Sequence, residues 1–512
     1  MLRRWTIAVT SCVLLSACAV GPDYQRPTME TPAAFKEAAA PVETGGTEWR
    51  PARPQDETDR GAWWAVYNDP VLDNLERQID VSNQNLKSAA AAYEAARATV
   101  KEARAEYWPT VTLDPTIQPH ELSKGRQLST SNSTSTGTGT VSTSHGSSSE
   151  SEYGITANAT WELDIWGRIR RTVESQAETA QASAADLASA RLSAQGELGV
   201  DYFSLRYDDE LERLLNETSA AFARTAEITR NRYTVGVAAK SDVATAEAQL
   251  QATKAQAIAV GTQRAQFEHA IAVLVGKPPA DFSIAPAPFT TALPETPESV
   301  PSTLLERRPD IAAAERRVAA ANAQIGVALA AYYPNLSING SYGLIGTSLN
   351  TLFEASAGVW AVGPQLVATL FEGGLRSAQV KAAKEGYDES VADYRQTVLT
   401  SFQQVEDQLV ALRVLAQQAE AQGAAAKAAE EAEQLTLNEY KAGTVDYTTV
   451  VTAQSTALSD RQQYLTVEES RFTASVSLIQ ALGGGWSEAS LPSGKHLGSE
   501  AASLPVEQAT QP

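Results

Sequence analysis

The chain has 512 residues, a formal net charge of −20, a pI near 4.8, and 43% hydrophobic residues with a mean hydropathy of −0.25. That acidity excludes nucleic acid as a partner, because phosphate binding needs basic patches. Past the first residues no apolar run reaches the roughly 18 residues of a membrane-spanning helix. The four histidines, His120, His145, His269 and His496, are scattered without metal-ligand spacing, and the only cysteines are Cys12 and Cys18. An enzyme would need a nucleophile–base or metal cluster that these residues do not supply. No catalytic residue, no metal and no cofactor beyond a covalent lipid is expected.

Residues 1–17 form a signal peptide. Arg3 and Arg4 supply the positive start, residues 6–15 a short apolar core, and Leu15-Ser16-Ala17 sets small residues ahead of Cys18. This is the pattern of a bacterial lipoprotein signal. Cys18 is expected to be acylated and to become the mature N-terminus, while Cys12 leaves with the signal. Two or three acyl chains, at about 0.8 kcal/mol per buried methylene, anchor a protein stably. Ala19 rather than Asp after the cysteine implies, by resemblance to Gram-negative lipoproteins, sorting to the outer membrane. Residues 18–60, rich in Pro, Thr and Glu, are expected to be an extended lipidated segment that wraps a surface.

A first structural repeat covers residues 61–276. Asp69 can cap and Pro70 can begin a helix. Ala-, Gln- and Glu-rich sequence predicts helix over 72–106, and Tyr107-Trp108-Pro109 ends it. Val111 and Leu113 then alternate with Thr112 and Asp114. A Ser-, Thr- and Gly-dominated loop over 123–151 has little to bury. After it, Tyr153, Ile155, Ala157, Ala159, Trp161, Leu163 and Ile165 alternate with polar residues. Helical sequence over 168–232 would reach on the order of 100 Å. Tyr233-Thr234-Val235-Gly236 is a tight turn. Beyond it Val243, Ala246, Leu250, Thr253, Ala257, Val260, Arg264, Phe267, Ile271 and Leu274 step by three and four, the seam of a left-handed supercoil. Arg264 on that seam reads as a snorkelling rim charge, with a specific inter-helix pair as the alternative.

The unit occurs twice. Asn231, Tyr233, Gly236, Val243, Thr245, Ala246, Gln256, Val260, Arg264 and Gly276 recur, each 207 positions on, as Asn438, Tyr440, Gly443, Val450, Thr452, Ala453, Gln463, Val467, Arg471 and Gly483. So long a period is a duplication and not a solenoid repeat. Pro-rich residues 277–301 link the copies, residues 302–486 form the second repeat, and residues 487–512 are expected to be a disordered tail. In the second copy Tyr332-Tyr333-Pro334 ends a helix. Leu336, Ile338, Tyr342 and Leu344 make one alternating row; Trp360, Val362, Leu366 and Leu370 make another. Each of the four alternating segments suits a tilted membrane strand of about 9–11 residues. Trp108, Trp161, Trp166, Trp360 and Phe371 are candidates for aromatic girdles. Four strands leave open edges, which lipid forbids; three chains would supply twelve and close a barrel.

Several motifs carry a resemblance. They are Cys18-Ala19-Val20-Gly21-Pro22-Asp23-Tyr24 with Pro27, and Trp63-Trp64 with Asn68-Asp69-Pro70-Val71-Leu72. In the second copy they are Arg308-Pro309-Asp310-Ile311, Ala314-Glu315, Ala320-Ala321-Asn322-Ala323, Ile325-Gly326, Tyr333-Pro334 and Ala481-Leu482-Gly483-Gly484-Gly485-Trp486. From Cys18 to Trp486 the chain resembles the TolC-like outer membrane factor family, in its NodT-type lipoprotein branch. The resemblance implies an α+β membrane protein that assembles as a TolC-like trimeric tube. Each chain would give four β-strands to a 12-stranded outer-membrane barrel, above a long periplasmic α-helical barrel. The implied function is the exit duct of a tripartite efflux pump, passively conducting drugs or other small compounds. Its implied partners are two further copies of itself, a periplasmic adaptor and an inner-membrane resistance-nodulation-division transporter. Tyr233, Gly236, Tyr440 and Gly443 would lie at the periplasmic tip where the adaptor docks. Many members carry Asp at the positions of Thr449 or Thr452; here both are Thr. The gate candidates are therefore Asp242, Asp446, Tyr447, Thr448, Thr449 and Thr452, with a helix cap as the plainer role for either carboxylate. The alternative reading is a periplasmic coiled-coil adaptor or structural lipoprotein, which leaves four alternating segments in duplicate unexplained.

Overall fold

The computed structural model describes residues 19–32, 34–37, 62–123, 147–289, 293–294, 307–493 and 497. Cys18 and most of the segment up to residue 60 lie outside them, as does most of the tail. The chain divides into two units, each drawn from separate stretches of sequence.

The first unit takes in residues 98–176 and 320–387 together with those up to Tyr24. At its centre is an antiparallel sheet in the order β1-β2-β3-β4, formed by β1 Thr110–Ser123, β2 Ser147–Glu162, β3 Asn335–Gly346 and β4 Gly358–Val367. The register carries one apolar row across all four strands. Leu113 faces Ala157, Ala157 faces Tyr342, and Tyr342 faces Trp360; one pair along, Val111, Ala159, Gly340 and Val362 repeat the pattern. Leu113, Tyr342 and Trp360 are between 65% and 74% exposed, so this face is apolar and uncovered. Because strand side chains alternate, the other face carries the polar row. There Thr112, Asn158 and Ser341 align, Asn158 Nδ2 donates to Asp114 at 2.7 Å and Asn339 Nδ2 to Gln365 at 2.8 Å.

The sheet departs from the sequence expectations at its ends. β1 and β2 run to 14 and 16 residues, and their ladder reaches Ser123 and Ser147, inside the stretch expected as loop. Backbone pairing needs no apolar side chain, so composition alone misplaced that boundary; residues 124–146 lie outside the described residues. Leu163, Ile165 and Leu370 fall beyond the ends of β2 and β4. Trp108, Trp360 and Phe371 stand out 74% to 88% exposed, and Trp161 less so. Trp166 is not one of them. It stacks on Tyr333 at 4.7 Å and donates Nε1–H to the Pro334 carbonyl at 2.8 Å, packing beneath the sheet's end. There the start of the chain is also fastened. Val20 N–H donates to the Trp166 carbonyl at 3.0 Å, Asn322 Nδ2 to the Pro22 carbonyl at 3.0 Å, and Arg171 pairs with Asp23 at 3.1 Å. At Gly21, with φ +112°, a Cβ would lie 2.6 Å from the Gly326 Cα.

The second unit takes in residues 25–97, 177–319 and those from Asp388 onward. The helices are α1 Pro70–Ser82, α2 Gln84–Ala105, α3 Arg168–Thr234, α4 Lys240–Leu274, α5 Pro309–Ala330, α6 Leu375–Ala442 and α7 Tyr447–Ala481; α2, α3, α5 and α6 contribute residues to both units. The duplication is plain in their lengths. α3 and α6 have 67 and 68 residues, and α4 and α7 have 35 each. Asp69 caps α1 by accepting from the Val71 and Leu72 N–H groups at 2.8 and 3.1 Å. The helix expected over 72–106 is broken at Asn83. Its Oδ1 accepts from the Asn85 and Leu86 N–H groups at 2.9 and 3.1 Å, capping α2, while Nδ2 donates to the Leu274 carbonyl at 2.8 Å. A short amide side chain competes with the backbone for these bonds, and here it wins because α4 ends beside it.

The core of this unit is aromatic. Tyr67 and Phe203 lie 4.9 Å apart, Phe203 and Phe472 4.9 Å, and Phe289 and Phe472 4.8 Å, with Leu72, Ile79, Leu198 and Val476 around them. All ten seam positions of α4 are buried or half-buried. Arg264 is not a rim charge. Its Nε donates to Asp209 of α3 at 2.6 Å and Nη2 to the Ile284 carbonyl at 2.6 Å. Its counterpart Arg471 pairs with Glu468 on its own helix at 2.8 Å. Among the described residues no helix is long and apolar enough to cross a membrane.

Candidate functional site: the two helix turns

The turns after α3 and α6 close in the same way. Gly236 and Gly443 have φ of +77° and +83°, where a side chain is disfavoured and glycine is not. Val237 N–H reaches back to the Arg232 carbonyl at 2.8 Å, and Thr444 N–H to the Glu439 carbonyl at 3.0 Å, satisfying carbonyls the helix end would leave open. A Cβ at Gly236 would meet nothing within 4 Å, and one at Gly443 only Arg232 Nη2 at 3.7 Å. The demand for glycine is conformational, not steric.

The two turns are tied together by a residue that sequence reasoning missed. Arg232, in the last turn of α3, donates Nη1–H to the Tyr440 carbonyl at 2.8 Å and lies 4.6 Å over the Tyr440 ring. A cation from the first copy thus caps the negative end of the second copy's long helix. The signal was present in the sequence, since basic residues favour the last turn of a helix.

The four tip residues divide. Tyr440 is 3% exposed and Tyr447 3%; their rings lie 5.5 Å apart in a cluster with Ala226, Ala246 and Val450. Burial pushes the Tyr447 phenol up to about 12, with Tyr440 and Asp242 adding to it. Tyr447 is therefore a core residue, which corrects its listing among gate candidates, and the Tyr440 side chain is inside too. Tyr233 differs from its counterpart: it is 43% exposed, beside Val235 at 72% and Val237 at 64%. The first turn thus presents an apolar surface, legible in hindsight from two valines in a turn.

Asp446 is the N-cap of α7, its Oδ1 accepting from the Thr449 N–H at 3.1 Å and the Thr449 hydroxyl at 2.7 Å. These bonds, the hydroxyl's first, hold its carboxyl below the usual range. Asp242 sits in the first turn of α4, its Oδ2 accepting from the Ala239 N–H at 3.2 Å. Asp446 is thus an N-cap, whereas Asp242 stands at the third position of α4 and bonds back to the N-cap residue Ala239. Asp446, Thr448, Thr449 and Thr452 share an open cleft with Thr436 and Ala453; Asp242 is not part of it. Among the described residues no group of His, Cys, Asp or Glu could hold a metal ion.

A family model described as outer membrane efflux protein matches residues 75–277 and again 300–484. The chain belongs to the outer membrane efflux protein family. Within the family it is 30% identical over 485 residues to the antibiotic efflux pump outer membrane protein ArpC of Pseudomonas putida, covering 94% of this chain and 96% of the relative. It is 28% identical to the outer membrane protein OprJ of Pseudomonas aeruginosa, covering 94% and 96%. Among solved structures, the outer-membrane channel OprN is 28% identical with a TM-score of 0.79, covering 92% of this chain and all of that one. The open-state MtrE channel of Neisseria gonorrhoeae is 27% identical with a TM-score of 0.76, covering 92% and 99%. This outer membrane efflux protein thus has the TolC-like fold and serves as the outer-membrane component of an efflux pump. The double match of the family model repeats the duplication read from the sequence, and a periplasmic adaptor or purely structural lipoprotein is set aside.

Proposed function

We propose that three copies of the chain close a twelve-stranded barrel in the outer membrane and form the exit duct of a tripartite pump. The observation that carries this reading is the sheet of four strands. Its apolar row runs unbroken from β1 to β4, yet β1 and β4 are left as edges. An apolar face belongs in lipid and an open edge cannot stay there. Pairing β4 of one copy with β1 of the next removes every edge. The polar row then faces a watery lumen that lets small compounds pass without a catalytic step, and selection is left to the pump.

The other assignments rest on this assembly. Cys18 carries the lipid that anchors the start of the chain. The exposed Tyr233, Val235 and Val237 of the first turn, with Gly236 and Gly443 shaping both turns, receive a periplasmic adaptor. An inner-membrane transporter of the resistance-nodulation-division type feeds the adaptor. Asp446, Thr448, Thr449 and Thr452 line the constriction. Single cysteines placed in β1 and β4 test the closure: oxidation of detergent-extracted protein should give covalent trimers whose unheated form migrates faster than the heated one. A chain that stays monomeric in the membrane would overturn the reading.

A further inference from the structure

Where α3 meets α7, a buried carboxylate of α3 lies near a half-buried one of α7, with no arginine bonded to it. Asp208 of α3 is 1% exposed, and its Oδ2 has no hydrogen-bond partner. Ser204, one turn earlier on the same helix face, donates from Oγ to Glu469 Oε1 of α7 at 2.8 Å. That bond sets Glu469 on the face that carries Asp208. Glu197 and Asp201 continue the same stripe of α3.

The charged groups acting on Asp208 are Glu469 from α7, Asp209 beside it on α3, and Arg264 from α4. The cations are committed elsewhere. Arg264 donates to Asp209 at 2.6 Å and to the Ile284 carbonyl, and Arg206 holds Asp209 at 2.8 Å and the Ala285 carbonyl at 2.9 Å. Asp209 takes both arginines, and Asp208 Oδ2 is left without a partner.

A carboxylate buried out of water with a second one near it does not stay ionised cheaply. A proton on Asp208 removes that repulsion and the cost of burying its charge. We propose that Asp208 and Glu469 form a proton-operated joint between the two copies of the repeat. With a proton bound, α3 and α7 are fastened; with both groups ionised, the joint loosens. Burial first, then Glu469 and Asp209, push the Asp208 carboxyl up to about 7, and burial also raises Glu469. Asp201 rises to about 6 through burial and Glu197. For an acid raised above its ordinary value, the ionised form is the costly one. Stability is therefore lost as pH rises through about 7 and regained as pH falls toward the ordinary carboxylate range.

The test reads the joint on purified full-length protein and does not depend on transport. Amide hydrogen exchange over residues 200–210 and 466–472 is measured from pH 8 to pH 5.5 and corrected for intrinsic exchange. The opening constant should fall about tenfold per pH unit below 7. Asp208→Asn should show at pH 8 the protection that the unaltered protein reaches only at pH 5.5, with a flat profile. Glu469→Gln, on a half-buried group, should move the rise in protection to lower pH without abolishing it, because burial alone still raises Asp208, and decides the matter if Asp208→Asn does not fold. A profile independent of pH in the unaltered protein, or a profile that does not move along the pH axis in Glu469→Gln, overturns the joint.

Discussion

At the scale of single residues, the two copies use matched positions differently. Arg264 and Arg471 stand 207 positions apart on equivalent helices, yet Arg264 reaches across to Asp209 while Arg471 pairs along its own helix. Arg264→Ala removes a charged hydrogen bond from Asp209, which is 8% exposed, and should cost about 2 kcal/mol. Arg471→Ala, losing a pair within one helix, should cost less than about 1 kcal/mol. Denaturant unfolding of both variants checks the order. Asp446 permits a cleaner separation of roles. Asn caps a helix about as well as Asp, so Asp446→Asn keeps the turn and removes only the charge. Planar-bilayer recordings should then give weaker cation selectivity and higher resting conductance, with Asp242→Asn as the comparison. Because Thr449 holds the Asp446 carboxyl below its ordinary range, the group stays charged in weak acid. Cation preference in the unaltered channel should persist there and fade only as pH drops through that lowered value.

At the scale of elements, the turns were legible because positive φ calls for glycine, and Gly236 and Gly443 stand in matched Tyr-x-x-Gly turns. A β-branched side chain in that backbone region costs about 1–2 kcal/mol, too little to unfold helices of this length. Replacing both glycines with Val should therefore leave trimer assembly intact while drug susceptibility rises at unchanged protein level. Normal efflux by the double variant would remove these turns from the docking tip. Elements whose limits depend on partners were harder to read. Helix propensity runs through Asn83 without interruption, and the break there exists because the Leu274 carbonyl lies within reach of its side chain. The end of β1 and the Ser-rich start of β2 carry no alternating apolar row, so only the backbone ladder fixes them.

At the scale of the whole molecule, anchoring and insertion are separable. Closure of the barrel satisfies the strand edges whether or not an acyl chain is present. Cys18→Ala should abolish acylation yet leave the protein in the membrane fraction. A folded, fully soluble product in the periplasm would count against the barrel. The contacts of Val20, Pro22 and Asp23 with Trp166, Asn322 and Arg171 fasten the start of the chain by themselves, which points the same way.

By itself the sequence determined the duplication, the class of each long element and the family. Those follow from local chemistry: period-two and seam spacings, Pro and Gly at ends and turns, and a lipoprotein signal ahead of the recognisable motifs. The tertiary structure alone decided which polar groups find partners. Tyr440 and Tyr447 look like surface turn residues in sequence and are core residues in the fold, because the first copy's Ala226 and Ala246 pack over them. Asp208 and Asp209 are neighbours of one residue type, yet one holds two arginines and the other holds none. Burial and charge pairing depend on what other segments bring within a few ångströms, and sequence spacing along a single helix does not carry that information.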